Sequence, residues 1–192
     1  MKKVIFGALM LVFVISASAQ NYKASVGINA GSFNGFSYKG FVTDHLALQV
    51  DLGVNLECTY GQVDIYENGS SIGTASGQQS FYTFEANPNL LYQAEILSAN
   101  AGTLSWFAGG GLSAGMMNSL NLRESHPIFK WGVNGIGGIE FQLAQAPVAF
   151  SFDFRPGYGM STYVFRDIYS RTTAVNSFLD WKMAIGIRYV FK

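Results

Sequence analysis

Glu124, Ser125 and His126 stand next to one another and supply a carboxylate, a hydroxyl and an imidazole. Nucleophilic catalysis needs a base within hydrogen-bond reach of the hydroxyl and a third group to orient that base. Neighbours along a loop do not supply that geometry, and Pro127 makes this stretch a turn. His45, the other histidine, sits in the short segment Thr43–His45, and Cys58 is the only cysteine. Two isolated histidines and one thiol make no metal constellation, and a single cysteine makes no intrachain disulfide. The runs Gly109-Gly110-Gly111 and Gly135-x-Gly137-Gly138 invite a phosphate-loop reading. That motif needs a strand, a turn and then a helix N-terminus, and no helical pattern follows either run. The residues therefore imply no catalytic centre, no cofactor and no metal.

The charged residues are more informative by position than by type. Lys23, Lys39, Asp51, Glu85, Glu95, Lys130, Glu140, Asp153, Arg155, Asp180, Lys182 and Arg188 all fall on the polar phase of an alternating pattern. Six are basic and six acidic. Such a set could line a selective pore or plug a narrow one through mutual pairing. Eight strands enclose a space just wide enough for side chains to fill, and buried charge persists when partnered. The expected network comprises Lys39, Asp51, Glu140, Asp153, Arg155, Lys182 and Arg188. A second candidate surface is Tyr163, Phe165, Arg166, Tyr169 and Arg171 in the last long connector, where aromatics and arginines suit binding and arginine suits phosphate.

The elements that must position these residues are strands. In "DWKMAIGIRYVFK", one phase is Trp181, Met183, Ile185, Ile187, Tyr189, Phe191 and the other Asp180, Lys182, Ala184, Gly186, Arg188, Val190. Alternate side chains point to opposite faces, so one face is apolar and the other small or charged. The same alternation recurs over Tyr22–Gly31, Phe36–Val42, Leu46–Leu56, Tyr82–Gln93, Leu104–Met116, Phe129–Leu143 and Val148–Tyr158, which with the last segment makes eight strands. Short connectors at Thr43–His45, Ser98–Thr103 and Ala144–Pro147 alternate with long ones at Glu57–Gln79, Met117–Ile128 and Met160–Ser177, as expected when two rims face different compartments. Within the first long connector, Asn68-Gly69 would let its flanks continue as a protruding hairpin, whose edge could recruit an extended partner.

Composition decides which face meets which solvent. Charged residues are 12% of the chain, about half the usual share of soluble domains. In a water-soluble lipocalin-like barrel the polar face would be outermost and richly charged; here it is mostly Gly, Ser, Ala and Asn. Aromatics gather near strand ends, with Tyr60, Tyr82, Trp131, Tyr158 and Trp181 at one rim and Tyr22, Tyr92, Trp106, Phe141, Tyr189 and Phe191 at the other. Two such girdles suit two membrane interfaces. The start, MKKVIFGALMLVFVISASAQ, has a basic n-region, an apolar run and an A-x-A site, the pattern of a secretory signal peptide cleaved after Ala19. These features predict an all-β fold: an antiparallel up-and-down transmembrane β-barrel over 20–192, preceded by a cleavable signal peptide over 1–19.

Over Gln20–Lys192 the chain resembles the small eight-stranded outer-membrane β-barrel proteins of Gram-negative bacteria, the outer membrane protein β-barrel domain family. The terminal strand carries the motif-like part: Gly186, Tyr189 and Phe191 stand where that family's assembly signal has glycine and aromatics. Ala184 replaces its usual polar residue, and Lys192 follows the last aromatic. The resemblance implies export to the outer membrane, contact with its lipid and lipopolysaccharide, and handling by the barrel assembly machinery. It also implies a monomer and a structural or surface-interaction role towards some extracellular ligand. The alternatives are a narrow porin-like channel for small solutes and a lipid-modifying enzyme. No basic block exists, so nucleic acid is not an expected partner.

Overall fold

The computed structural model describes residues 22–67, 69–119, 128–166 and 171–191. Eight antiparallel strands follow one another: β1 (Ala24–Gly31), β2 (Phe33–Phe41), β3 (Leu46–Glu67), β4 (Ser70–Ala99), β5 (Gly102–Ser119), β6 (Ile128–Leu143), β7 (Val148–Arg166) and β8 (Arg171–Phe191). Each pairs with its sequence neighbour, and β1 pairs with β8 to close the barrel. Closure satisfies the backbone and removes lipid-facing edges, which is what a hydrocarbon environment demands of strands.

Strand length departs from the sequence reading. The connectors Glu57–Gln79 and Met160–Ser177 are mostly strand: β3 runs to Glu67 and β4 starts at Ser70, while β7 runs to Arg166 and β8 starts at Arg171. Gly69, at φ 88°, takes the left-handed turn position that glycine favours. Between β1 and β2 the turn is tighter than the gap between the alternating segments Tyr22–Gly31 and Phe36–Val42 suggests, because only Ser32 separates the strands. Serine, glycine and glutamine read as loop from composition, yet here they hydrogen-bond along a neighbouring strand.

The β1–β2 hairpin is short, while its neighbours β3 and β8 continue past it. Ser32 fixes the hairpin tip between them: Leu56 N donates to Ser32 O at 3.1 Å, Ser32 N donates to Met183 O at 3.0 Å, and Met183 N donates to Ser32 Oγ at 2.8 Å. Beyond that tip β3 and β8 pair directly, from Gly61 with Phe178 to Glu67 with Thr172. The ladder from Gly53 runs through Glu85, Gly115, Lys130, Ser161 and Asn176 and returns to β3 at Val63, a stagger of ten residues (63 − 53). Such stagger tilts the strands about the axis. Among the described residues, the strands that continue outside the barrel form a sheet ordered β7–β8–β3–β4.

Candidate functional site: the ion-paired lumen

Alternation aims one phase of each strand inward, and among the described residues the inward charges are five cations and five anions. Lys39, Lys130, Arg155, Lys182 and Arg188 are buried with Asp51, Glu85, Glu140, Asp153 and Asp180. They form three tiers along the axis.

In the tier nearest the short turns, Glu140 of β6 is the hub. Lys39 Nζ donates to it at 2.7 Å, Gln93 Nε2 at 3.0 Å and the Tyr22 hydroxyl at 2.5 Å, while Arg188 Nε lies 3.9 Å away. Lys39 Nζ also donates to Gln93 Oε1 at 2.6 Å and sits 5.0 Å from the Phe107 ring centroid. Arg188 Nη1 donates to Ser37 Oγ at 2.8 Å.

The middle tier centres on Arg155 of β7. Its Nε and Nη2 donate to both carboxylate oxygens of Asp153, at 2.7 and 3.0 Å, and Nη1 donates to Asp51 at 2.7 Å. Asp51 also accepts from Gln49 at 2.9 Å and Asn29 at 3.2 Å. A planar guanidinium suits this forked geometry.

In the third tier, Lys182 binds Glu85 closely and Asp180 at 3.0 Å, and Lys130 lies 3.3 Å from Asp180 and 3.5 Å from Glu85. Apolar residues bound this stack: Met117 and Phe178 at the outer end; Ala47, Leu91, Phe107 and Ile136, with Tyr22, Ala149 and Val190, at the other.

Glycine makes room for the large inward side chains. A Cβ on Gly27 would lie 2.8 Å from Arg188 Cγ, and one on Gly138 would lie 2.6 Å from the Phe107 ring. Gly138 of the second glycine run thus has a steric role in a strand.

The structure brings all seven residues of the expected network into this interior and adds Glu85, Lys130 and Asp180. Lys23 is exposed and Glu95 only half-buried, both near the short-turn rim, so neither joins a tier. Tyr22 is a correction: it was expected at a lipid-facing girdle, but it precedes β1, escapes the alternation and turns inward onto Glu140. Phe33, Leu91, Phe107, Ile136, Met117 and Phe178 also face inward. The sequence carries a faint signal for Leu91 and Phe107, which interrupt otherwise polar phases. Gly186 lies on the inward phase of β8, with Tyr189 and Phe191 on the outward phase. Of the last connector's candidates, Tyr163, Phe165, Arg166 and Arg171 lie on strands that leave the barrel. Their side chains, and all of Tyr169, fall outside the described residues, as do His126 and the signal-peptide segment.

The outward phase is apolar throughout the middle of the barrel. Trp181, Ile185 and Tyr189 on β8 are 61%, 61% and 51% exposed. Trp131, Tyr158, Trp181 and Tyr82 mark one end of this belt; Tyr92 and Trp106, with ring centroids 5.8 Å apart, and Tyr189 with Phe191, at 5.1 Å, mark the other. Eight residues separate Trp181 from Tyr189 (189 − 181), roughly 20 Å along the normal for a strand tilted at ~40°, close to the apolar band of a barrel in lipid.

A closed antiparallel barrel of eight strands, apolar outside and ion-paired within, is a transmembrane β-barrel of the outer-membrane type. No family model matches the chain, and no curated protein matches it. Among solved structures it is similar to the N-terminal β-barrel domain of Pseudomonas aeruginosa OprF, with 11% identity and a TM-score of 0.45, covering 91% of this chain and 100% of that one. Ail, the attachment invasion locus protein of Yersinia pestis, is similar at 12% identity and a TM-score of 0.26, covering 86% and 93%.

Proposed function

We propose that the protein is an outer-membrane barrel with a closed lumen, whose working surface is the sheet it raises outside the membrane. One observation carries this reading: the five buried cations and five buried anions pair with one another in three successive tiers. A conducting pore needs polar groups that exchange partners with passing solutes. Here the side chains that would do so hold each other, and Phe107 and Phe178 lie against two of the lysines. Strands β3, β4, β7 and β8 meanwhile continue well past the outer girdle, which a mere membrane plug does not require. Export to the outer membrane of a Gram-negative cell and barrel-machinery insertion through the terminal strand complete the proposal. Purified barrel in planar bilayers should show no stepwise ionic conductance, whereas steady single-channel currents would establish the porin-like alternative.

A further inference from the structure

We propose that the guanidinium of Arg188 holds a chloride ion inside the barrel. This deepens the closed-lumen reading and rests on it, because an ion bound in a plug stays while one in a pore passes through.

Among the described residues the lumen contains two arginines, and they use the same edge of the side chain differently. Arg155 turns the edge formed by Nε and Nη2 onto the two oxygens of Asp153, at 2.7 and 3.0 Å. Arg188 is 1% exposed, and its Nη1 donates to Ser37 Oγ. Its Nε and Nη2 have no hydrogen-bond partner among the described residues. Those two groups form a rigid planar fork whose N–H bonds run side by side, the arrangement that grips an anion with two prongs.

The carboxylates of the lumen do not fill this fork. Glu140 Oε2 comes within 3.9 Å of Nε, which is beyond hydrogen-bond reach. Its two oxygens are already committed to Tyr22, Gln93 and Lys39. Turning Glu140 onto Arg188 would strand the Lys39 ammonium, which is wholly buried. The middle tier has a surplus of negative charge, but Asp51 and Asp153 turn their oxygens to Arg155, Gln49 and Asn29.

The tier around Glu140 therefore carries two cations and one carboxylate, and the unmatched donors sit on one of those cations. A buried donor without an acceptor costs the desolvation of its group, and more when the group is charged. Charge decides what removes that cost best: a halide adds an anion to the tier, whereas a water molecule adds only a dipole. Because Arg188 is so enclosed, the occupant has to be small and present while the barrel closes. That favours a monatomic ion over an oxyanion such as phosphate.

Crystals of the full barrel, folded and grown in sodium bromide, should show an anomalous peak at the bromine edge within hydrogen-bond distance of Arg188 Nε and Nη2. Water alone at the fork, or Glu140 swung onto it, would overturn the proposal. In detergent, unfolding of the parent should respond when sodium chloride replaces sodium gluconate at equal ionic strength, which keeps screening constant. Chloride at about ten times its dissociation constant should lower the unfolding equilibrium constant about tenfold. Arg188→Lys keeps the cation and loses the fork, so once it shows the heat-modifiable gel migration of a folded barrel it should unfold alike in both salts. A parent indifferent to chloride, or a variant that responds as the parent does, would also overturn the proposal. If the variant does not fold, the bromide peak decides alone. Single-channel currents would overturn the closed lumen, whereas a missing peak in a non-conducting barrel would overturn only the ion.

Discussion

The two faces of the barrel wall are built from alternate residues of the same strands, yet they obey opposite rules. On β7, Asp153 and Arg155 are fully buried and bonded, whereas Phe152 between Ser151 and Asp153 is 47% exposed. In water that arrangement would place the cost on the wrong side. In lipid the exposed phenyl costs nothing, and the buried ions stand because each is held by a partner of opposite sign. Solvent, not residue type, decides which phase is stabilising.

The sharpest break of this contrast is the loss of one lumenal partner. Arg155→Met strands both Asp51 and Asp153 without a cation, and truncating one side of a buried pair costs about 3–5 kcal/mol. Denaturant unfolding in detergent or lipid should show a loss of that size. Next comes a charge on the outer face. Phe152 pairs in register with Ile185, midway between Trp181 and Tyr189. Phe152→Arg should therefore cost about 2–4 kcal/mol in lipid, the range for arginine at the bilayer midplane. Leu48→Arg should follow the same rule. If both arginines are tolerated while Arg155→Met is also tolerated, the assignment of faces is inverted.

Truncation on the outer face should be milder. Leu48→Ala and Phe152→Ala leave gaps that lipid tails fill, so each should cost less than the ~2–5 kcal/mol of a truncation in a closed core. The same unfolding series checks this, and a core-sized loss would mean that protein packs against those side chains. The smallest effect lies at the hairpin tip, beyond both faces. Asp64 there accepts hydrogen bonds from Thr74 at 2.7 Å and Gln62 at 3.2 Å, and these hold its carboxyl below the ordinary value of 3.8. A depressed value stabilises above the unfolded pKa and is lost as pH falls through the folded one. Local amide exchange near Thr74 should thus rise only under strongly acidic conditions, and Asp64→Asn should remove that pH dependence.

The alternation of apolar with small or charged residues was legible in the chain by itself. It determined eight strands, an antiparallel barrel, the inward placement of Asp51, Arg155 and Arg188, and the turn at Gly69. A period of two needs no partner strand to be read. Which acid meets which base depended on the ten-residue stagger, which brings Lys39 of β2 to Glu140 of β6 and Lys182 of β8 to Glu85 of β4. No local pattern encodes a stagger that accumulates around a closed ring. Strand continuation past the membrane was equally hidden, because Ser- and Gly-rich segments such as Ser70–Ser80 have weak strand preference and form strands only when β3 supplies the ladder. Tyr22 turned inward for a related reason: periodicity ends where the strand ends, and beyond that point Glu140, 118 residues away, determines where the side chain goes.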